Sequence, residues 1–273
     1  MTARRAGCSV FVPSPSGNGD RLTFVIKETH YVFEQPELWQ IVAANLAAVI
    51  GAFIQSGTGF GMGLLCVPLL TLIHPVFAPG AFLVASLFQN TLMVARNRQG
   101  IRKDWLAAIL PGAVMGSAVA FFVLSNLKGP GVELAIGVTI LIAVAISAGG
   151  LRIAVNGKSL FAGGTLAGMM STIAGVPGPP LIIVIQNEQG RQIRANLGIS
   201  FITSSAASIT ALYFAGRFGL LHLFLGFSLV PGILAGTLLA GPFASFLDRA
   251  FLRPVLLGLV SFGGLALILR NVM

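Results

Sequence analysis

Long stretches without any Asp, Glu, Lys or Arg alternate with short charged clusters along nearly the whole chain. The uncharged stretches cover residues 38–95, 105–127, 134–151, 159–187, 195–216, 218–247 and 254–269. A helix that crosses a bilayer needs about 20 apolar residues, with roughly 17–25 tolerated, so the first stretch is long enough for two and the set predicts about eight segments. The last stretch is short, but Arg253 and Arg270 can reach toward headgroups from its ends. This pattern predicts an all-α integral membrane protein.

The segments repeat. Ile109-Leu-Pro-Gly-Ala-Val-Met-Gly-Ser-Ala-Val-Ala120 is echoed by Leu229-Val-Pro-Gly-Ile-Leu-Ala-Gly-Thr-Leu-Leu-Ala240. Upstream in each half a glycine/proline cluster interrupts an apolar run: Gly57-Thr-Gly-Phe-Gly-Met-Gly63 in the first and Ser171-Thr-Ile-Ala-Gly-Val-Pro-Gly-Pro-Pro180 in the second. On the segment after each cluster, Gln89-Asn90 and Thr203-Ser204 fall at comparable places. The chain therefore divides into a polar tail at 1–36, a first four-segment membrane repeat at 37–151 and a second at 159–270, with segments 1 and 5 interrupted.

Small residues four apart, as in Pro-Gly-x-x-x-Gly, are ordinary helix-packing devices in lipid. The interrupted segments are different, because irregular backbone inside hydrocarbon must be buried in protein or line a cavity. Paired interruptions in the two halves of a transporter point to a solute site near the midplane.

Composition agrees. The 273 residues are 55% hydrophobic and 9% charged, against roughly 25% charged in a soluble domain. With 17 Lys and Arg against 8 Asp and Glu, the net charge is +9, which in this setting describes cationic loops beside membrane spans and not a nucleic-acid surface. Cys8 and Cys66 form neither a disulfide framework nor a metal site. The tail has no uninterrupted apolar core of the kind a signal peptide carries.

At the two clusters the sequence resembles the TauE/SafE family of sulfite and organosulfonate exporters. The matching elements are Gly59-Phe-Gly-Met-Gly63 followed by residues 64–70 with Pro68, and Gly175-Val-Pro-Gly-Pro-Pro180 followed by Leu181. The family pattern tends toward Gly-x-Gly-Gly at both places, whereas here Met62 interrupts the first and Pro177 precedes Gly178 in the second. The resemblance spans residues 40–270 and implies a multi-pass transporter exporting a small anion, such as sulfite or an organosulfonate, across the cytoplasmic membrane.

No charged side chain falls within the predicted spans, so an intramembrane carboxylate relay is absent. His74 and His222 sit at segment ends. Neutral hydrogen-bonding groups gather near the interruptions instead. The candidate substrate-binding residues are Gln55, Ser56, Thr58, Gly59, Gly61, Gly63, Gln89, Asn90, Ser171, Thr172, Gly175, Gly178, Thr203 and Ser204. Together with backbone amides at half-helix N-termini they suit sulfite, a sulfonate or a carboxylate without a fixed positive charge. Gln186 belongs to the same neutral set. No metal or cofactor is expected. An anion-selective channel is the alternative, and a membrane-embedded enzyme a lesser one, since no nucleophile and base or phosphate loop stands at a recognisable spacing. A homodimer is left open.

Two topologies follow. Eight full crossings with the tail inside put Arg191 and Arg194 on the opposite side from Arg96, Arg98, Arg102 and Lys103; re-entrant hairpins at segments 1 and 5 put them on the same side and make the halves an inverted repeat. Both leave more Lys and Arg on the cytoplasmic side.

Overall fold

A computed structural model of the protein describes residues 36–59, 62–127, 130–149 and 153–247. The expected tail, the last apolar run at 254–269 and candidate residue Gly61 lie outside these, as does the side chain of Thr58. Among the described residues the regular structure is helical.

Helix α1, Leu38–Thr58, begins where the Glu37 N–H donates to Gln40 Oε1 at 2.8 Å. It stops at Gly59, whose left-handed conformation (φ 86°) lets its N–H close on the Gln55 carbonyl at 2.8 Å. After the break α2, Met62–Ile73, lies back along α1. Cys66 Sγ donates to the Ala47 carbonyl at 3.3 Å, Gly51 packs on Met62 and Cys66, and Gln40 Nε2 reaches the Ile73 carbonyl at 3.4 Å. Helix α3, Gly80–Asn97, follows a short 3-10 turn at Pro75–Phe77, and a second such turn, Arg98–Gly100, leads into α4, Lys103–Asn126. Helix α5 is Pro130–Ala148.

The same order recurs. Helix α6, Gly157–Ala174, opens with Asn156 and Ser159 bonding each other's backbone N–H, and closes at Gly175, again left-handed (φ 71°). Helix α7, Gly178–Ile185, folds back along it, with Gly163 beside Pro180, Leu181 and Val184. Helix α8 is Gly190–Phe214. The run 218–247, read from the sequence as one segment, is divided into α9, Leu220–Ser228, and α10, Val230–Leu247. Asn45 explains the division. Its Nδ2 donates to the Ser228 carbonyl at 2.9 Å and its Oδ1 accepts from the Gly232 N–H at 3.0 Å. These are the two groups an unbroken helix would join directly, so the side chain has inserted into the ladder next to Pro231.

The Pro-Gly-x-x-x-Gly helices cross between the halves. Helix α4 runs parallel to α6, with Gly112 and Gly116 against the backbone of residues 161–169, and Gly164 and Gly168 against the carbonyls of Ile109 and Ala113. Helix α10 runs parallel to α1, with Gly232 and Gly236 against the carbonyls of Asn45 and Val49. Helices α3 and α8 are antiparallel, as Ser86 meets Ser205 and Asn97 meets Arg194.

Leu38–Gly57, Lys103–Asn126, Gly190–Phe214 and Leu220–Ala240 are long and apolar enough to cross a membrane. Large apolar side chains face outward, including Leu38, Val42, Leu46 and Ile50 along one stripe of α1 and Phe122, Phe214 and Phe224 elsewhere. A surface of this kind fits lipid and not water.

Candidate functional site

The two breaks meet. A Cβ on Gly63 would stand 2.6 Å from the Gly175 carbonyl oxygen, and one on Gly175 would press on Val67 and Phe82. Only glycine allows this approach of one half's backbone to the other's. Beside the contact lies a cavity of about 20 Å³, lined by Gln55, Gly63, Leu64, Phe82, Ser86, Asn90, residues 175–179 and Phe201. Its size suits a water-sized guest. It draws on α1, α2, α3, the break before α7, and α8.

The polar lining is neutral. Gln55 Nε2 donates to Asn90 Oδ1 at 2.7 Å, both residues being buried. That bond uses one polar atom of each amide. Whichever way round the two amides are read, one NH2 group remains without a protein partner in the described contacts. Ser86 bonds the Leu83 carbonyl at 2.8 Å and the Ser205 hydroxyl at 3.0 Å.

The half-helices contribute unequally. The first turn of α2 at Met62, Gly63 and Leu64 has N–H groups with no carbonyl one turn back inside the helix. At α7, Pro177, Pro179 and Pro180 have no N–H, which leaves Gly178 as the donor among those four positions.

Five of the sequence candidates line this cavity: Gln55, Gly63, Asn90, Gly175 and Gly178. Consecutive Gln89 and Asn90 part company. Gln89 Nε2 donates to Ser56 Oγ at 3.2 Å and its Oε1 accepts from Thr237 Oγ1 at 2.7 Å, tying α3 to α1 and α10. Ser171 and Thr172 both bond the Ser208 hydroxyl, at 3.0 and 2.8 Å. Thr203 bonds its own helix at the Ile199 carbonyl, and Ser204 is buried with its hydroxyl unpartnered. Gly59 caps α1, with Arg194 Nη1 on the Gly57 carbonyl at 3.3 Å just below it. Gln186 follows α7 and bonds the Ile183 carbonyl at 3.1 Å.

Sequence reasoning missed Phe82, Ser86 and Phe201. A signal was present on α3, where positions 82, 86 and 90 share one helical face at i, i+4 and i+8. Likewise Ser205, not Thr203, faces α3. Among the described residues no group of His, Cys, Asp and Glu is placed to hold a metal ion.

The long apolar helices and their outward-facing apolar side chains fit a multi-pass membrane protein. The family model described as Sulfite exporter TauE/SafE matches residues 44–267, and the chain belongs to that family of membrane transporters. No curated protein and no solved structure matches it.

Proposed function

We propose that the chain is a secondary carrier exporting a small oxyanion, sulfite or an organosulfonate, across the cytoplasmic membrane by alternating access. The cavity marks the centre of its solute site, which must widen from this water-sized space to admit the oxyanion. The observation that carries this reading is the meeting of both breaks around an uncharged cavity that keeps a free amide NH2, since an oriented donor and a helix N-terminus together attract an anion. Export comes from the family.

In this reading α1–α2 and α6–α7 are re-entrant hairpins, and the repeats at 37–151 and 159–270 are inverted. Two sets of contacts support it. Arg191 Nη1 donates to Gln99 Oε1 at 2.9 Å and Arg194 Nε to Asn97 Oδ1 at 3.2 Å, which joins groups that eight full crossings would separate by the membrane. At the other end, Arg217 Nη2 donates to the carbonyls of Leu124 and Leu127 at 3.1 and 2.6 Å. Eight crossings would part these as well.

The test is flux of labelled sulfite and sulfonates in proteoliposomes, paired with cysteine accessibility. Saturable flux is expected, with Arg217→Cys labelled from outside and Arg249→Cys from inside. Ohmic conductance in a planar bilayer would refute the carrier, and reversed labelling would refute the inverted repeat.

A further inference from the structure

We propose that Arg194 is the gate between the cavity and the arginine-rich end of the protein, and that an oxyanion crosses that end by taking the guanidinium from its two present acceptors. The inference rests on the cavity marking the centre of the solute site.

The position follows from helix geometry. Asn90 and Phe201 line the cavity on the antiparallel helices α3 and α8. Seven residues from each, toward the end that carries Arg96, Arg98 and Lys103, stand Asn97 and Arg194. Seven residues make two turns, so each lies on the face that lines the cavity, about 10 Å along the helix from it. Arg194 Nε donates to Asn97 Oδ1 at 3.2 Å, and Nη1 donates at 3.3 Å to the carbonyl of Gly57, two residues after Gln55 of α1. One side chain thereby ties together α1, α3 and α8, three of the helices that bound the cavity. Its stem completes the closure, since a Cβ on Gly59 would stand 2.9 Å from Arg194 Cγ.

A guanidinium near the last carbonyls of a helix is commonly a cap. Here α1 is already closed by the Gly59 N–H on the Gln55 carbonyl at 2.8 Å, and Arg194 reaches past α1 to a second helix. Its setting also differs from that of its neighbours. Arg96, Arg98, Lys103 and Arg191 are exposed, as loop cations beside a bilayer are, whereas Arg194 is half-buried. Asp104, an acidic residue of the same end, is taken by Arg102 at 2.7 Å. Among the described residues Arg194 holds neutral acceptors and no carboxylate. An oxyanion offers the guanidinium fork two charged oxygens in place of a carbonyl and an amide, and paired bonds of that kind are stronger. Arrival of the anion therefore favours release of Gly57 and Asn97, and its departure restores the closure. The other break is covered differently: a Cβ on Gly175 would meet Phe82 and Val67 at 3.1 and 3.2 Å. Closure there is apolar, so the anion's charge acts on the gate at the arginine-rich end.

The experiment uses the full chain with Cys8→Ser and Cys66→Ser, and with Ser86→Cys in the cavity as reporter for an impermeant maleimide. It compares Arg194, Arg194→Ala and Arg194→Lys in vesicles of known orientation. In Arg194→Ala the labelling rate is expected to rise about tenfold or more from the side that carries Arg96 and Lys103, and to stay unchanged from the other. The KM for sulfite, measured from that same side without the reporter, is expected to rise by about tenfold or more. Arg194→Lys is expected to fall between, because it keeps the charge without the fork. Labelling that is unchanged, or that rises equally from both sides as in a loosened fold, overturns the gate. An unchanged KM overturns the exchange of acceptors. Side-specific labelling that is not slowed by a saturating sulfonate known to compete with sulfite for flux leaves the gate standing and overturns the cavity as the solute site.

Discussion

Asn90 and Gln89 are neighbours on α3, and replacing each by leucine should do opposite things. Asn90 lines the cavity and bonds Gln55 at 2.7 Å. A hydrogen bond to a charged group contributes about 1.5–3 kcal/mol, and each 1.4 kcal/mol is about a factor of ten. Asn90→Leu should therefore raise the KM for sulfite roughly ten- to a hundredfold. Gln89 instead holds Ser56 and Thr237 at 3.2 and 2.7 Å, away from the cavity. Side-chain hydrogen bonds within membrane proteins average about 0.6 kcal/mol each, so Gln89→Leu should lower stability by about 1 kcal/mol and Tm by about 2–4 °C. Its KM should be unchanged. The assay is proteoliposome flux against solute concentration, with thermal unfolding of the same preparations in detergent. Leaving Gln55 without its partner makes some loss of stability in Asn90→Leu expected too, so the discriminating quantity is KM. Equal KM shifts in the two variants would refute the division of roles.

Gly63→Ala should abolish flux while protein remains in the membrane, because its Cβ would stand 2.6 Å from the backbone carbonyl of Gly175 and force the breaks apart; flux per milligram of reconstituted protein checks this. Gly116→Ala would drive a Cβ into the Thr165 carbonyl and should destabilise the α4–α6 contact by about 1–3 kcal/mol, read as a lower Tm. Asn45→Leu removes both bonds that hold α9 and α10 apart. Hydrogen exchange at Gly232 should then be altered relative to Gly236 if the inserted side chain maintains the division, and unchanged exchange would refute that account.

The membrane class and the two breaks were legible because they follow from local composition. A run without charges reads as lipid-facing wherever it packs, and Gly59 and Gly175 are left-handed helix caps whatever their neighbours. The Pro-Gly-x-x-x-Gly repeat also read correctly as close packing, although its partners are α6 for α4 and α1 for α10, a crossing that no spacing encodes. The rest depends on facing. Gln89 and Asn90 differ by about 100° around the helix axis, enough to send one amide to α10 and the other to the cavity. Their counterparts shifted for the same reason, since Ser205, two positions after Thr203, meets α3. The division at Leu229 was hidden because its cause, Asn45, lies far away in sequence.

The two breaks are not equivalent in chemistry. Met62 is buried against Gly51 at the start of α2. Gly51 has no room for a Cβ because Cys66 occupies the space, and Cys66 is in turn bonded to the Ala47 carbonyl. These contacts fix α2 along α1, so the first turn of α2 is delivered to the cavity by packing on a long helix. Pro177 acts on backbone donors: with Pro179 and Pro180 it leaves the start of α7 with few of the N–H groups that carry a helix's positive end. Donors therefore come mainly from the first half, through α2 and the Gln55–Asn90 pair, while the second half contributes the Gly175 carbonyl that Gly63 approaches. An anion seated here would be gripped mainly from one side, because the prolines at the start of α7 remove the donors that would match those of α2.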